Sequence, residues 1–134
     1  MTVRVLIVDD QPPFRVAANL VFDLIDEFEV VGEATSAEDA LDQVTALEQV
    51  TGLEPDLVVM DINLPGMSGI EATRRLIAEH PGTFVLLVST YQVDDLPAGA
   101  ESSGALAYVH KEHLDSDLVE QLWRDRALAM WRTA

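Results

Sequence analysis

Cysteine is absent from the 134-residue chain, which excludes disulfides, thiolate metal sites and cysteine nucleophiles. Basic residues are scarce: eight Lys and Arg stand against 24 Asp and Glu, for a formal net charge of −16. Such a balance repels a phosphate backbone and removes the attraction behind nonspecific nucleic-acid binding, so direct nucleic-acid binding by this chain is not expected. No apolar run approaches 18 residues, and no charged-then-apolar leader precedes a small-residue cleavage site. Neither a membrane span nor a signal peptide is therefore indicated, and a cytoplasmic location is expected. Interdomain linkers, internal repeats and low-complexity tracts are missing too. What is present, 49% hydrophobic residues, suffices for one domain over residues 1–134, which at this size buries roughly 68% of its unfolded surface.

Short β-branched apolar runs alternate with segments of helical period. Val3 to Val8 reads as a strand buried on both faces and ends abruptly in Asp9-Asp10. Pro12-Pro13 suits a helix first turn, after which Phe14, Ala17, Ala18, Val21, Leu24 and Ile25 recur at helical spacing. Phe28 to Ala34 is a second strand. Ser36 with Asp39 caps a helix with Ala37, Ala40, Leu41, Val44 and Leu47 on its inner face, and Gln49 to Pro55 is read as a loop. Asp56 to Met60 is the third strand, running into Asp61 and the turn Leu64-Pro65-Gly66; Ser68 and Glu71 then form a capping box. Strands are also expected over Thr83 to Ser89 and Ala105 to His110, and a last helix from Ser116 to about Trp131 with Leu118, Val119, Leu122 and Ala129 facing inward. Pro97 and Gly99 interrupt the segment where a fourth helix belongs, which predicts a short, late or mobile one. Five strands and five helices in this order predict a three-layer α/β domain with a parallel sheet and right-handed crossovers.

Ligands of such open sheets bind beyond the carboxyl ends of the strands. Reading those ends gives Asp9 and Asp10, Asp61, Ser89 and, just after the fifth strand, Lys111. Three carboxylates in one crevice repel each other unless a cation neutralises them or a proton is shared. Oxygen ligands with no clustered His or Cys suit a hard ion, and Mg²⁺ typically uses one or two carboxylates and keeps several waters. With Lys111 and the Ser89 hydroxyl opposite, the crevice would hold a phosphoryl group, leaving the central carboxylate, Asp61, free to attack. In isolation, Asp9-Asp10 would be a helix cap, Lys111 a surface lysine and Ser89 a backbone-capping hydroxyl; their weight is joint. His80, His110 and His113 lack metal-ligand spacing and are expected to be exposed.

The stretches VLIVDDQP (Val5 to Pro12), VVMDINLPGMSGIEA (Val58 to Ala72), LLVST (Leu86 to Thr90) and GALAYVHK (Gly104 to Lys111) resemble the receiver domain of two-component response regulators over almost the whole chain. The first and third look most like the nitrate-response type, whose members usually carry a carboxyl-terminal, LuxR-type helix-turn-helix domain; no DNA-binding domain is read in this chain. The resemblance implies a flavodoxin-like fold with strand order 2-1-3-4-5, and a phosphoryl group accepted on Asp61 from a sensor histidine kinase. By position it implies Asp10, Asp61 and the backbone carbonyl of Asn63 as direct Mg²⁺ ligands, with Asp9 reaching the ion through water. Lys111 and Ser89 become phosphate contacts. Tyr108 matches the switch aromatic that turns inward as the Ser89 hydroxyl is drawn to the phosphate, and Thr90 holds the small-residue position beside that hydroxyl. Asn63 and Tyr91 hold positions that tune dephosphorylation. The domain would be a signalling phosphoacceptor rather than an enzyme, promoting only its own phosphorylation and dephosphorylation. It would control an output in transcription or through a partner protein, with homodimerisation through the fourth helix, fifth strand and fifth helix.

Departures from the pattern are Glu112 in place of a frequent proline, Ala107 in place of a frequent glycine, and the broken fourth helix. A haloacid-dehalogenase-like phosphatase would need an acid where Asn63 stands. A phosphate-independent interaction module with the same fold is the alternative, and the intact Asp9, Asp10, Asp61, Ser89 and Lys111 set favours the phosphoacceptor. Trp123, Ala127, Met130 and Trp131 form a second apolar stripe near the carboxyl end, which either wraps the domain's edge or forms a contact surface.

Overall fold

The computed structural model describes residues 2–128 and 130–134. Among these residues six parallel strands form one sheet in the order β2-β1-β3-β4-β5-β6. They are β1 (Val3–Val8), β2 (Phe28–Ala34), β3 (Leu57–Asp61), β4 (Phe84–Ser89), β5 (Ala107–His110) and β6 (Arg132–Thr133). Among the described residues four α-helices accompany them: α1 (Pro12–Asp23), α2 (Ala37–Thr51), α3 (Gly69–Glu79) and α4 (Ser116–Arg124). The first five strands thus have the expected 2-1-3-4-5 order. Because β1, β3 and β4 are apolar at nearly every position, both faces of the sheet must be covered. One face packs Leu6, Val8, Val58, Met60, Val85 and Leu87 against α2 and α3. The other packs Val5, Ile7, Val59, Leu86 and Val88 against Phe22 of α1 and Val119 and Leu122 of α4. Among the described residues, no helix is long and apolar enough to cross a membrane.

Local chemistry sets most boundaries. The Ser36 hydroxyl accepts from the Asp39 amide (3.0 Å) at the start of α2, and the Ser68 hydroxyl from the Glu71 amide (3.3 Å) at the start of α3. The predicted loop from Gln49 is too early: α2 runs on to Thr51 and stops where Gly52 takes the left-handed conformation, φ 73°.

The chain departs from the five-helix expectation in two places. Between β4 and β5 there is no α-helix, only 3-10 turns at Val93–Asp95 and Glu101–Ser103. Pro97 supplies no amide hydrogen to a helix, and Gly99 has φ 92°, with the Arg74 guanidinium where a β-carbon would stand. The last helix ends at Arg124, not near Trp131. Residues 126–128 make a 3-10 turn, and Arg132–Thr133 then pairs in parallel with β5. Ending the helix early lets the chain turn back, bury part of Trp131 and cover an otherwise open sheet edge. Ala129, expected on the inner face of that helix, lies outside the described residues. Trp123 wraps the domain's edge, meeting Phe28 and Phe84 edge-on at 6.1 and 5.6 Å and Arg126 face-on at 4.1 Å. Leu128 and Met130 stay exposed.

Two of the three histidines are buried, against expectation. The Nδ1 of His80 faces Glu48 (3.0 Å) and Glu54 (3.3 Å). His110 Nδ1 accepts from the Glu112 amide, so its other nitrogen carries the hydrogen and donates to the Thr90 carbonyl. Burial of each ring is offset by the partners its ring nitrogens find: Glu48 and Glu54 at His80 Nδ1, and the Glu112 amide and Thr90 carbonyl at His110.

Candidate functional site

The parallel register aligns the strand ends: Val8 pairs with Met60, Asp61 with Val88, and Ser89 with His110. The residue one step beyond β1, the last of β3, the last of β4 and the first after β5 therefore meet at one edge. Asp9, Asp10, Asp61, Ser89 and Lys111 are brought together there, as the sequence pattern requires. Asp9, Asp61 and Ser89 are buried and Asp10 is exposed. A ligand oxygen from each of Asp9, Asp10 and Asp61 lies within 4.8 Å of the others.

Lys111 Nζ spans the site, 2.8 Å from Asp9 Oδ2 and 3.4 Å from Asp61 Oδ2. The shorter approach is an ion pair without hydrogen-bond geometry, so Asp9 Oδ2 is fully buried with no hydrogen-bond donor. Asp9 Oδ1 accepts from the Gln11 amide at 2.8 Å, and Asp61 Oδ1 from the Asn63 amide at 3.2 Å. Burial first, and the Asp9 charge second, push the Asp61 carboxyl up to about 6, opposed by Lys111 and the Asn63 amide. One lysine does not neutralise this group of carboxylates. Three clustered carboxylates with one lysine between them, offering oxygen ligands alone, fit a hard divalent cation.

The hydroxyl side of the site has one consistent proton arrangement. Ser89 Oγ accepts from the Tyr91 amide (3.0 Å) and, because Tyr108 gives its one hydrogen to a backbone carbonyl, donates to Tyr108 Oη (2.8 Å). Tyr108 in turn donates to the Tyr91 carbonyl at 2.6 Å, with the Ser89 carbonyl at 3.1 Å. Tyr108 is fully buried and already inward, and burial pushes its phenol above the ordinary value. The Tyr91 hydroxyl donates to Asn63 Oδ1 (3.1 Å), so these two side chains join across the mouth of the site.

Three contributors were not singled out by their chemistry. The Gln11 side chain accepts from Lys111 Nζ at 3.3 Å, and the Phe14 ring lies under the same ammonium, 4.8 Å from Nζ to the centroid. Arg15 donates to the Asp9 carbonyl (2.8 Å) and pairs with Glu33 (3.1 Å). Their signal was positional, directly after Asp9-Asp10 at the start of a helix aimed at the site. Gly69 is required sterically, since a β-carbon there would collide with the Asp61 carbonyl oxygen.

Comparison with known proteins places the sequence and the fold. A family model described as the response regulator receiver domain matches residues 5–122. The response regulator GacA of Pseudomonas viridiflava is 37% identical over 109 residues, 81% of this chain and 48% of that protein. The transcriptional regulatory protein DegU of Brevibacillus brevis is 34% identical over 115 residues, 86% and 46% respectively. The chain thus spans about half the length of the curated relatives it matches. Among solved structures, a LuxR-family two-component response regulator from Aurantimonas sp. SI85-9A1 superposes with a TM-score of 0.78 at 31% identity, covering all of this chain and 90% of that one. A CheY-like receiver from Methanospirillum hungatei JF-1, 24% identical with a TM-score of 0.76 over 96% of this chain and 97% of that one, shares the fold. The chain belongs to the response regulator receiver domain family, with relatives of the LuxR-type class.

Proposed function

We propose that Asp61 accepts a phosphoryl group from a sensor histidine kinase and that the receiver changes conformation in response. The observation that carries this reading is the cluster of Asp9, Asp10 and the buried Asp61 with one lysine spanning Asp9 and Asp61. Asp10, Asp61 and the Asn63 carbonyl would hold Mg²⁺ directly, with Asp9 reaching it through water. When bound, the ion supplies positive charge to the phosphoryl oxygens. A carboxylate oxygen of Asp61 forms the new O–P bond as the bond from phosphorus to the donor imidazole nitrogen breaks, and that nitrogen keeps the electron pair. Lys111 Nζ, moving from Asp9 to a phosphoryl oxygen, neutralises charge on the transferred group. Ser89, by turning its hydrogen from Tyr108 to another phosphoryl oxygen, reports that the group has arrived. Asn63 and Tyr91, joined over the mouth, restrict the water that later hydrolyses the acyl phosphate.

The relatives include proteins named as a transcriptional regulator and a DNA-binding response regulator, which supports an output in transcription through a domain outside this chain. The face suggested for self-association is altered here, since no α-helix lies between β4 and β5 and β6 covers the edge of β5. Incubation with acetyl phosphate and Mg²⁺, followed by intact-mass measurement, tests the proposal. One phosphoryl adduct is expected, with none formed when the metal is chelated beforehand. The absence of an adduct both here and with a histidine kinase would refute it.

A further inference from the structure

We propose that Glu48, Glu54 and His80 form a Zn²⁺ site at the end of the domain opposite Asp61. Its four ligands are one carboxylate oxygen of each glutamate, Nδ1 of His80 and a water. The site is independent of the function proposed above.

No spacing in the sequence marks it, because its residues lie on three segments that only the fold brings together. Glu48 stands in the last turn of α2, Glu54 in the link to β3, and His80 at the end of α3, just before β4. The paired amino ends of β3 and β4 fix the last two. Thr83 donates through its hydroxyl to the Pro55 carbonyl (2.8 Å) and through its amide to the His80 carbonyl (3.0 Å), while the Phe84 amide donates to the Asp56 carbonyl (2.9 Å). The His80 side chain is only 9% exposed, and its Nδ1 faces Glu48 Oε2 at 3.0 Å and Glu54 Oε1 at 3.3 Å. One ligand atom from each of the three residues lies within 4.8 Å of the others.

The ring alone does not satisfy this group. Nδ1 carries at most one hydrogen, and two carboxylates face it. Among the described residues no Lys or Arg pairs with either glutamate. Both α2 and α3 end here without a basic residue in the last turn, so the negative ends of two helices add to the two acids. A cation in place of the Nδ1 hydrogen serves both glutamates at once. Tetrahedral Zn²⁺ with bonds of about 2.0–2.1 Å holds its ligands about 3.3–3.4 Å apart, and the two Nδ1–oxygen distances already approximate two edges of that figure. An imidazole nitrogen with two carboxylates suits Zn²⁺ better than Mg²⁺, the reverse of the all-oxygen set at Asp9, Asp10 and Asp61. Glu48 is exposed and Glu54 half-buried, which leaves an open side for the water. Bound there, the ion cross-links the end of α2 to the turn between α3 and β4.

The full chain, with excess Mg²⁺ to fill the acidic pocket, is titrated with Zn²⁺ against a competing zinc indicator, and long-range ¹H–¹⁵N spectra follow its three imidazoles. One Zn²⁺ per chain should bind and move His80 Nδ1 to the position of a metal-bound nitrogen, with the His110 and His113 nitrogens unmoved. Glu48→Gln, at an exposed position, should weaken binding by about tenfold or more, and His80→Gln by about 100-fold or more. Asp61→Asn should leave it unchanged. Equal uptake by the parent and Glu48→Gln, or uptake lost in Asp61→Asn, puts the ion elsewhere and overturns the site. A His80 Nδ1 that stays put at saturating Zn²⁺ overturns it as well, and no uptake at all reduces the three residues to an ion pair. If His80→Gln does not fold, Glu48→Gln and the parent's His80 resonance decide. None of these readouts involves phosphorylation, so failure of the proposed function leaves the site standing, and the converse holds.

Discussion

Replacing Asp61 by asparagine should stabilise the metal-free protein at alkaline pH while abolishing its proposed chemistry. Asp61 is 2% exposed and shares its crevice with Asp9. Its carboxyl moves from 3.8 to about 6, with burial as the largest cause. At about 1.4 kcal/mol per pH unit, ionising it in the folded state costs about 3 kcal/mol, and the attraction of Lys111 is already inside that figure. The direction follows from linkage. A carboxyl raised on folding costs nothing below about pH 4, where folded and unfolded chains are both protonated. The cost grows as pH rises through 6 and is complete above it. The substituted amide carries no charge and escapes this cost, so in urea unfolding with chelator at pH 8 the Asp61→Asn variant should exceed the parent by up to about 3 kcal/mol. The gain should shrink to near zero by about pH 4. A variant less stable than the parent at pH 8, or a difference independent of pH, would refute the electrostatic reading of the site.

Added Mg²⁺ should raise the parent's unfolding midpoint at pH 8 more than at pH 5, where protons compete for the same carboxylates, and should move Asp61→Asn less. Phe14→Leu keeps an apolar side chain but loses the ring beneath Lys111, so phosphorylation by acetyl phosphate should slow about two- to fivefold, with Phe14→Trp restoring it. Gly69→Ala should cost about 1–3 kcal/mol in denaturant unfolding, because its β-carbon meets the backbone carbonyl of Asp61 rather than a flexible side chain. Trp123→Ala should cost about 3 kcal/mol by removing the ring that bridges Phe28 and Phe84.

The site was legible because its residues are strand-terminal. A parallel sheet turns position at the end of a run into position in space, so Asp9, Asp61, Ser89 and Lys111 could be placed together without coordinates. The breakage of the fourth helix was legible for a covalent reason: Pro97 lacks the amide hydrogen a helix uses. The end of α4 was not, because no Gly or Pro lies between Ser116 and Ala134 and the helical period runs on through Trp131. What ends the helix is tertiary, the open edge of β5 and the room left beside it. Residues such as Gln11 and Phe14 escaped for a similar reason. Their role lies in how they hold Lys111, 100 and 97 positions away in the chain, and no local pattern records that contact. The buried histidines show the same limit, since the partners that offset the burial of His80 and His110 are Glu48, Glu54, Glu112 and Thr90 on other elements or turns.

The central claim is that Asp61 itself becomes the acyl phosphate. Treating the Mg²⁺ and acetyl phosphate reaction product with borohydride converts a phosphorylated aspartate to homoserine, and peptide sequencing by mass spectrometry then locates it. Homoserine is expected at position 61 alone, with none in Asp61→Asn. Conversion at Asp9, Asp10 or another carboxylate, or persistence of the adduct in Asp61→Asn, would contradict the claim.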